Sequence, residues 1–273
     1  MATMKAATYA ERLAAKTSER GRLCVGIDPM PSVLDAWGEG NDLAGLERVS
    51  RGIVETLGST IAVFKPQSAF FEPFGSGGVA VLERVIDDIR QAGALSLLDV
   101  KRGDIGSSMT GYAQAYLGDG PLGVDAMTAS PYLGFGSLKP AIQLAQDNGR
   151  GIYVLARTSN PDGTSLQLAK SFGVTVAQTI VDEAMRANKK RDNLVGLVIG
   201  GTHGDIGCEV DGFNGSILVP GIGAQGGKIE DLRSAFGSSV SHVLPTASRE
   251  VIGAGQAELE ERAARLLEAV SAL

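Results

Sequence analysis

Eight short apolar runs alternate with stretches of helical spacing, and that alternation constrains the fold more than any other feature. The runs are LCVGIDP (23–29), IAVFKPQ (61–67), LSLLDVK (95–101), DAMTASPY (125–132), GIYVLARTSNP (151–161), LVGLVIGG (194–201), SILVPGIG (216–223) and VSHVLPTASR (240–249). Strands that are apolar almost throughout belong to a sheet covered on its faces, which is the habit of parallel strands. Between them, 41–59 carries Leu43, Leu46, Val49, Ile53 and Leu57, and 77–92 carries Val81, Leu82, Val85, Ile86 and Ile89, both at helical spacing. Further helices are expected over 107–118, around 138–145, over 166–189 with Phe172, Val176, Ile180 and Met185, briefly after His203, on Ile229, Leu232 and Phe236, and finally on Leu259, Ala263, Leu266 and Val270. Eight strand–helix units in 273 residues suit a (β/α)8 TIM barrel in the α/β class, one domain spanning 1–273. An open doubly wound sheet is the alternative. An amphipathic helix over 5–20, with Tyr9, Leu13 and Ala14 on one side, is expected to cover one end of the barrel.

Composition narrows the partners. The net charge is -6 with no basic run, which argues against nucleic-acid and membrane-surface binding but leaves room for a small anionic ligand. No stretch approaches the ~20 apolar residues of a membrane span, and the first residues lack the apolar core of a signal peptide. Cys24 and Cys208 have no metal-like spacing; Cys24 reads as a small core residue, and a cytoplasmic location is expected.

The polar residues are placed non-randomly. Asp28, Lys65, Asp99 with Lys101, Ser159 with Asn160, and Arg249 all stand at C-terminal ends of strands. In a barrel those ends surround one mouth, where active sites lie. Asp99 and Lys101 are two apart in a strand and therefore project to one side. Taken alone they could be a structural ion pair; the agreement of several unrelated segments favours a site. Pro220-Gly-Ile-Gly-Ala-Gln-Gly-Gly227 precedes a short helix, and Arg249 follows the eighth strand. A glycine-rich loop and an arginine after strands seven and eight suit a phosphate. There is no His/Cys/Glu cluster with metal spacing, and no glycine fingerprint opening a dinucleotide unit. The two histidines, His203 at the start of a helix and His242 in mid-strand, give a Ser-His-Asp triad little support.

DVKRGDI (99–105) matches the D-x-K-x-x-D motif of the orotidine 5'-phosphate decarboxylase family. The resemblance extends over nearly the whole chain, through CVGIDP, FKPQ, ASPYLG, TSNP, PGIGAQGG and SR, and looks most like the longer bacterial branch, in which RTSNP is characteristic. It implies decarboxylation of orotidine 5'-phosphate to uridine 5'-phosphate without a metal or cofactor. Lys65, Asp99, Lys101 and Asp104 would form a charged tetrad, with Asp104 and Ile105 contributed across a homodimer interface. Asp28 and Lys65 would hold ribose hydroxyls, Ser159 the pyrimidine edge, and Gln225 and Arg249 the 5'-phosphate; Asn160 also suits the nucleotide, and Pro220 would line the base pocket. Lys101 would protonate C6, and 160–167 is the expected lid. The rival readings are a Mg2+-dependent sugar-phosphate decarboxylase or aldolase of the same superfamily, and a non-catalytic nucleotide-binding barrel.

Overall fold

The computed structural model describes residues 7–273. Among these, eight parallel strands close into a barrel: β1 (Cys24–Ile27), β2 (Val63–Pro66), β3 (Leu95–Arg102), β4 (Ala126–Ala129), β5 (Gly151–Arg157), β6 (Val195–Ile199), β7 (Ile217–Val219) and β8 (Val243–Ala247). Each strand pairs with its sequence neighbours, and β1 pairs with β8 (Val25 opposite Ala247) to complete the ring. The main helices are α1 (Tyr9–Arg20), α2 (Leu43–Leu57), α3 (Gly75–Gln91), α4 (Gly106–Leu117), α5 (Lys139–Asp147), α6 (Val176–Asn188), α7 (Ile229–Phe236) and α8 (Leu259–Ser271). The closed ring removes the doubly wound alternative.

Two apolar layers follow from strand parity. Outward-facing residues such as Phe64, Leu98, Val154 and Leu197 pack with the helices in one continuous core. Inward-facing residues, among them Val63, Leu97, Ala126, Tyr153, Leu218 and Leu244, fill the lower barrel. Two positions further along the same inward rows, Val63 gives way to Lys65, Leu97 to Asp99, Ala126 to Thr128 and Leu244 to Thr246. The alternation that makes the floor of the barrel apolar therefore makes its mouth polar.

α1 lies across the opposite end. Its N-terminus is closed by a capping box in which Thr8 and Glu11 exchange backbone and side-chain hydrogen bonds. Tyr9 and Leu13 join the inner core, and the Tyr9 and Tyr153 hydroxyls meet at 3.0 Å with their rings edge to face. Arg12 pairs with Asp125 and donates to the Gly149 carbonyl at 2.9 Å. Residues 5 and 6 of the expected helix lie outside the described residues.

Three expectations are corrected. No regular helix follows His203: the β6–β7 connection contains Gly200, Gly201, Gly204, Gly207, Gly212 and Gly215, which disfavour a helix, yet it still buries Ile206, Val210 and Phe213. The expected helix over 166–189 is three pieces. A helical turn (Thr164–Gln167) and a small hairpin (Lys170–Ser171 with Val174–Thr175) precede α6, which begins where the Thr175 hydroxyl accepts from the Gln178 N–H. Phe172, expected on a buried face, is fully exposed at the hairpin tip with φ +51°. Finally, 240–242 belong to a tight helical turn rather than to β8, so His242 is exposed before the strand begins.

Candidate active site

The mouth of the barrel holds a cavity of about 320 Å³, and Asp99 is the hub of its charged wall. Lys65 Nζ lies 3.2 Å from Asp99 Oδ2, which also accepts from Gln67 Nε2 at 2.9 Å. Lys101 Nζ lies 2.7 Å from Oδ1, which also accepts from the Thr128 hydroxyl at 2.8 Å. Each carboxylate oxygen thus takes two donors, and two of the four are ammonium groups. Burial opposes the Asp99 charge, but Lys65 and Lys101 outweigh it and hold the carboxyl well below its usual range. Burial likewise opposes the Lys65 charge; Asp99 and Asp28 outweigh it and hold the ammonium above the usual lysine range.

Local backbone geometry places these groups. Lys65 follows Val63 on the inward row of β2. Lys101 reaches Asp99 by a different route from simple alternation: the β3–β4 register shifts between Leu98 and Arg102, and Lys101 adopts φ +45°. A left-handed lysine is strained, and such strain gathers at functional sites. The Thr128 hydroxyl holds the bulge, accepting the Lys101 N–H at 2.9 Å while donating to Asp99. Lys101 is thereby half-exposed, with its ammonium at the edge of the cavity, whereas Lys65 is buried. Asp28 Oδ1 is 4.0 Å from Lys65 Nζ and is buried without a hydrogen-bond donor, an acceptor open to a ligand hydroxyl.

The far wall comes from later loops. Ser159, Asn160, Pro220, Gln225 and Arg249 all line the same cavity. The Ser159 hydroxyl donates to Gln225 Oε1 at 3.0 Å, joining the loop after β5 to the loop after β7. The glycine loop folds on itself through Gly223 N–H to Gly227 O (2.8 Å) and Gly227 N–H to Gly221 O (3.0 Å). Gly221 and Gly223 have φ of +99° and +74°, which explains glycine at both. Arg249 is exposed at the rim, where it opens a short helix to Ile252. This wall is cationic and amide-rich; the opposite wall alternates ammonium and carboxylate.

Asp104 and Ile105 stand apart. Neither lines the cavity; Asp104 Oδ1 accepts from the Ile105 N–H at 2.8 Å, and Ile105 is 63% exposed. Gln67, Thr128, Thr158 and Thr246 also line the site but were not singled out from sequence. For three of them the signal was parity: Gln67 continues the row of Lys65, and Thr128 and Thr246 continue the inward rows of β4 and β8; Thr158 lies beyond the irregular end of β5 and off the inward row of Tyr153 and Leu155. His203, which starts no helix, donates from Nε2 to the Thr158 carbonyl at 2.9 Å. Among the described residues, no group of three or more His, Cys, Asp or Glu is placed to hold a metal ion.

Comparison with known proteins bears on the family and the fold. Residues 21–264 match the model of the Orotidine 5'-phosphate decarboxylase / HUMPS family. The chain is 54% identical over 252 residues to the orotidine 5'-phosphate decarboxylase of Salinispora tropica, covering 91% of each, and 50% identical over 251 residues to that of Streptomyces coelicolor, covering 90% of each. The structure of a candidate orotidine 5'-phosphate decarboxylase from Streptomyces avermitilis superposes with a TM-score of 0.92 at 46% identity, over 100% of this chain and 98% of that one. The Leishmania donovani OMP decarboxylase superposes at 0.80 and 29% identity, over 97% and 98%.

Proposed function

This chain belongs to the orotidine 5'-phosphate decarboxylase family and converts orotidine 5'-phosphate to uridine 5'-phosphate in pyrimidine biosynthesis, and we propose that the Lys65–Asp99–Lys101 array carries out the chemistry by electrostatics alone. Loss of CO2 breaks the bond from C6 to the carboxylate carbon and leaves the electron pair on C6, in the plane of the ring, where the π system cannot spread it. Lys101 is the partner for that pair: its ammonium stabilises the charge as it develops and then gives C6 a proton. Asp99 keeps Lys101 charged and aimed, and faces the substrate carboxylate, a repulsion relieved as CO2 departs. The side chains supply this stabilisation themselves, so the reading requires neither metal nor cofactor.

The remaining assignments follow the walls. Asp28, with its open buried acceptor, and Lys65 take the ribose hydroxyls. Ser159 and Asn160 meet the pyrimidine edge, and Pro220 lines the base. Gln225, Arg249 and the glycine loop take the 5'-phosphate, whose binding energy, remote from C6, serves the chemical step. Asp104, half-buried, and Ile105, exposed, both lie off the cavity of their own chain and complete the tetrad in a second copy, which makes the working unit a homodimer. Within each copy the whole chain acts as one catalytic domain with α1 as its floor. A cytoplasmic location suits a biosynthetic nucleotide enzyme with two free cysteines.

The observation that carries this reading is the fourfold saturation of Asp99, with a lysine on each oxygen, facing a cationic wall across one cavity. Incubation with orotidine 5'-phosphate, with and without EDTA, tests it. Absorbance of the substrate should fall at the same rate in both; loss of turnover in EDTA would reject the metal-free mechanism.

A further inference from the structure

Arg157, the last residue of β5, is 4% exposed, and among the described residues no carboxylate pairs with it. A buried cation without a counter-ion is costly, so its neutral partners need a reason. Nη1 donates to Gln167 Oε1 at 3.1 Å and to the Thr158 carbonyl at 3.4 Å, and Nη2 donates to the Thr164 hydroxyl at 3.1 Å. The planar fork therefore grips both ends of the segment 158–167. Gln167 tightens the grip: its Oε1 accepts from the Thr158 N–H at 3.0 Å and its Nε2 donates to the Thr158 hydroxyl at 2.7 Å. That hydroxyl in turn donates to Asn160 Oδ1 at 2.6 Å. From the other side, His203 holds the Thr158 carbonyl and the Thr202 hydroxyl donates to the Ser159 carbonyl at 3.3 Å. A relay thus runs from Arg157 through Gln167 and Thr158 to Asn160. It occupies the Asn160 carbonyl oxygen and leaves its NH2 group as the donor available to a ligand.

We propose that Arg157 and Gln167 are positioning residues for the decarboxylation: they clasp the 158–167 loop and preset Ser159 and Asn160 for the pyrimidine edge. The inference rests on the assignment of Ser159 and Asn160 to that edge. Neither clasp residue lines the cavity, so both act through Thr158.

The decisive variant is Gln167→Glu. The new carboxylate still accepts the Thr158 N–H and gives Arg157 a counter-ion, so Tm should equal or exceed that of the parent. It cannot donate to the Thr158 hydroxyl, and as the stronger acceptor it draws that hydroxyl away from Asn160. A part held only for stability would work as well or better in this variant. The clasp predicts instead a fall of about five- to tenfold in kcat/KM and a matching loss of uridine 5'-phosphate affinity. Ribose 5-phosphate, which lacks the base, should bind within about twofold of the parent, since its assigned partners Asp28, Lys65, Gln225 and Arg249 all lie outside the clasped 158–167 loop. Parental kcat/KM in Gln167→Glu, or equal losses for both ligands, would overturn the proposal. Should that variant fail to fold, Gln167→Ala removes both prongs and is judged by the same contrast. Ser159→Ala and Asn160→Ala separate the premises. If they bind uridine 5'-phosphate like the parent, the base-edge assignment falls and takes the clasp with it. If they weaken it while the Gln167 variants do not, the clasp alone falls.

Discussion

Asp99 decides how the site responds to change, because four donors converge on one carboxylate. Lys101→Ala removes the proposed proton donor but none of the groups assigned to ribose or phosphate. We expect kcat to fall by roughly a thousandfold or more with much of the uridine 5'-phosphate affinity retained; a kcat within about tenfold of the parent would reject Lys101 as donor. Arg249→Ala should act on the other parameter, raising KM by about ten- to a hundredfold through loss of a charge-assisted grip on phosphate; an unchanged KM would remove it from the phosphate site. The pH response follows from the two shifts. Asp99 is lowered in the folded state, so its contribution to stability is full above the unfolded carboxylate value of about 3.9 and is lost as pH falls through the folded value. Lys65 is raised, so its contribution is full below the unfolded lysine value of about 10.4 and is lost as pH rises through the folded value. Between roughly pH 4 and 10 neither group titrates. In thermal unfolding from pH 9 down to pH 5 the advantage of the parent over Asp99→Asn should therefore hold or grow, because without Asp99 one carboxylate, Asp28, is left to offset the burial of the Lys65 ammonium. A difference that shrinks steeply inside that window would mean that one of these charges is absent.

At the scale of the element, glycines make space as often as they make turns. A Cβ at Gly196 in β6 would fall 2.6 Å from the Tyr153 ring, and Gly151 in β5 is similarly crowded by the Tyr9 ring. Those two tyrosines join α1 to the barrel floor, so the strands beneath them are thinned to admit the rings. Gly196→Ala should cost about 1–3 kcal/mol by overpacking, read as a lower Tm with KM little changed, because the mouth lies at the other end. A Tm equal to the parent's would mean that the tyrosine pair is loosely seated. The β3 bulge is the counterpart at the mouth: an irregular strand end, braced by Thr128, gives Lys101 a reach that regular pleating would not.

The molecule as a whole has one pole for packing and one for chemistry, and the proposed dimer would complete the second pole with residues of another copy. If Asp104 acts in trans, Lys101→Ala and Asp104→Ala, each inactive alone, should complement on mixing. A mixed dimer contains one site with native Lys101 from one chain and native Asp104 from the other. Random reassortment of equal amounts then restores about a quarter of the parental sites. No recovery after verified subunit exchange would place Asp104 in its own chain's site or outside the site altogether.

Legibility tracked the range of the forces involved. The number and order of the barrel strands, their parallel sense and the polar row at their C-terminal ends were readable, because hydrophobic periodicity records which face of each strand is buried. So were Asp28, Lys65, Asp99, Lys101, Ser159 and Arg249, charged or polar residues ending apolar runs. The hairpin at 170–175 was not, since Phe172, Val176 and Ile180 keep helical spacing by coincidence while the Phe172–Gly173 turn interrupts the helix. The same holds for the bulge that aims Lys101 and for the relay from Arg157 through Gln167 to Asn160. Sequence by itself determined the eight strand–helix units and the identity of their charges, because burial pattern is a local property of the chain, whereas closure of the ring was seen only in the tertiary structure. Only the tertiary structure decided which donors saturate Asp99, because hydrogen bonds between residues about thirty positions apart depend on register and on single backbone angles that no periodicity encodes.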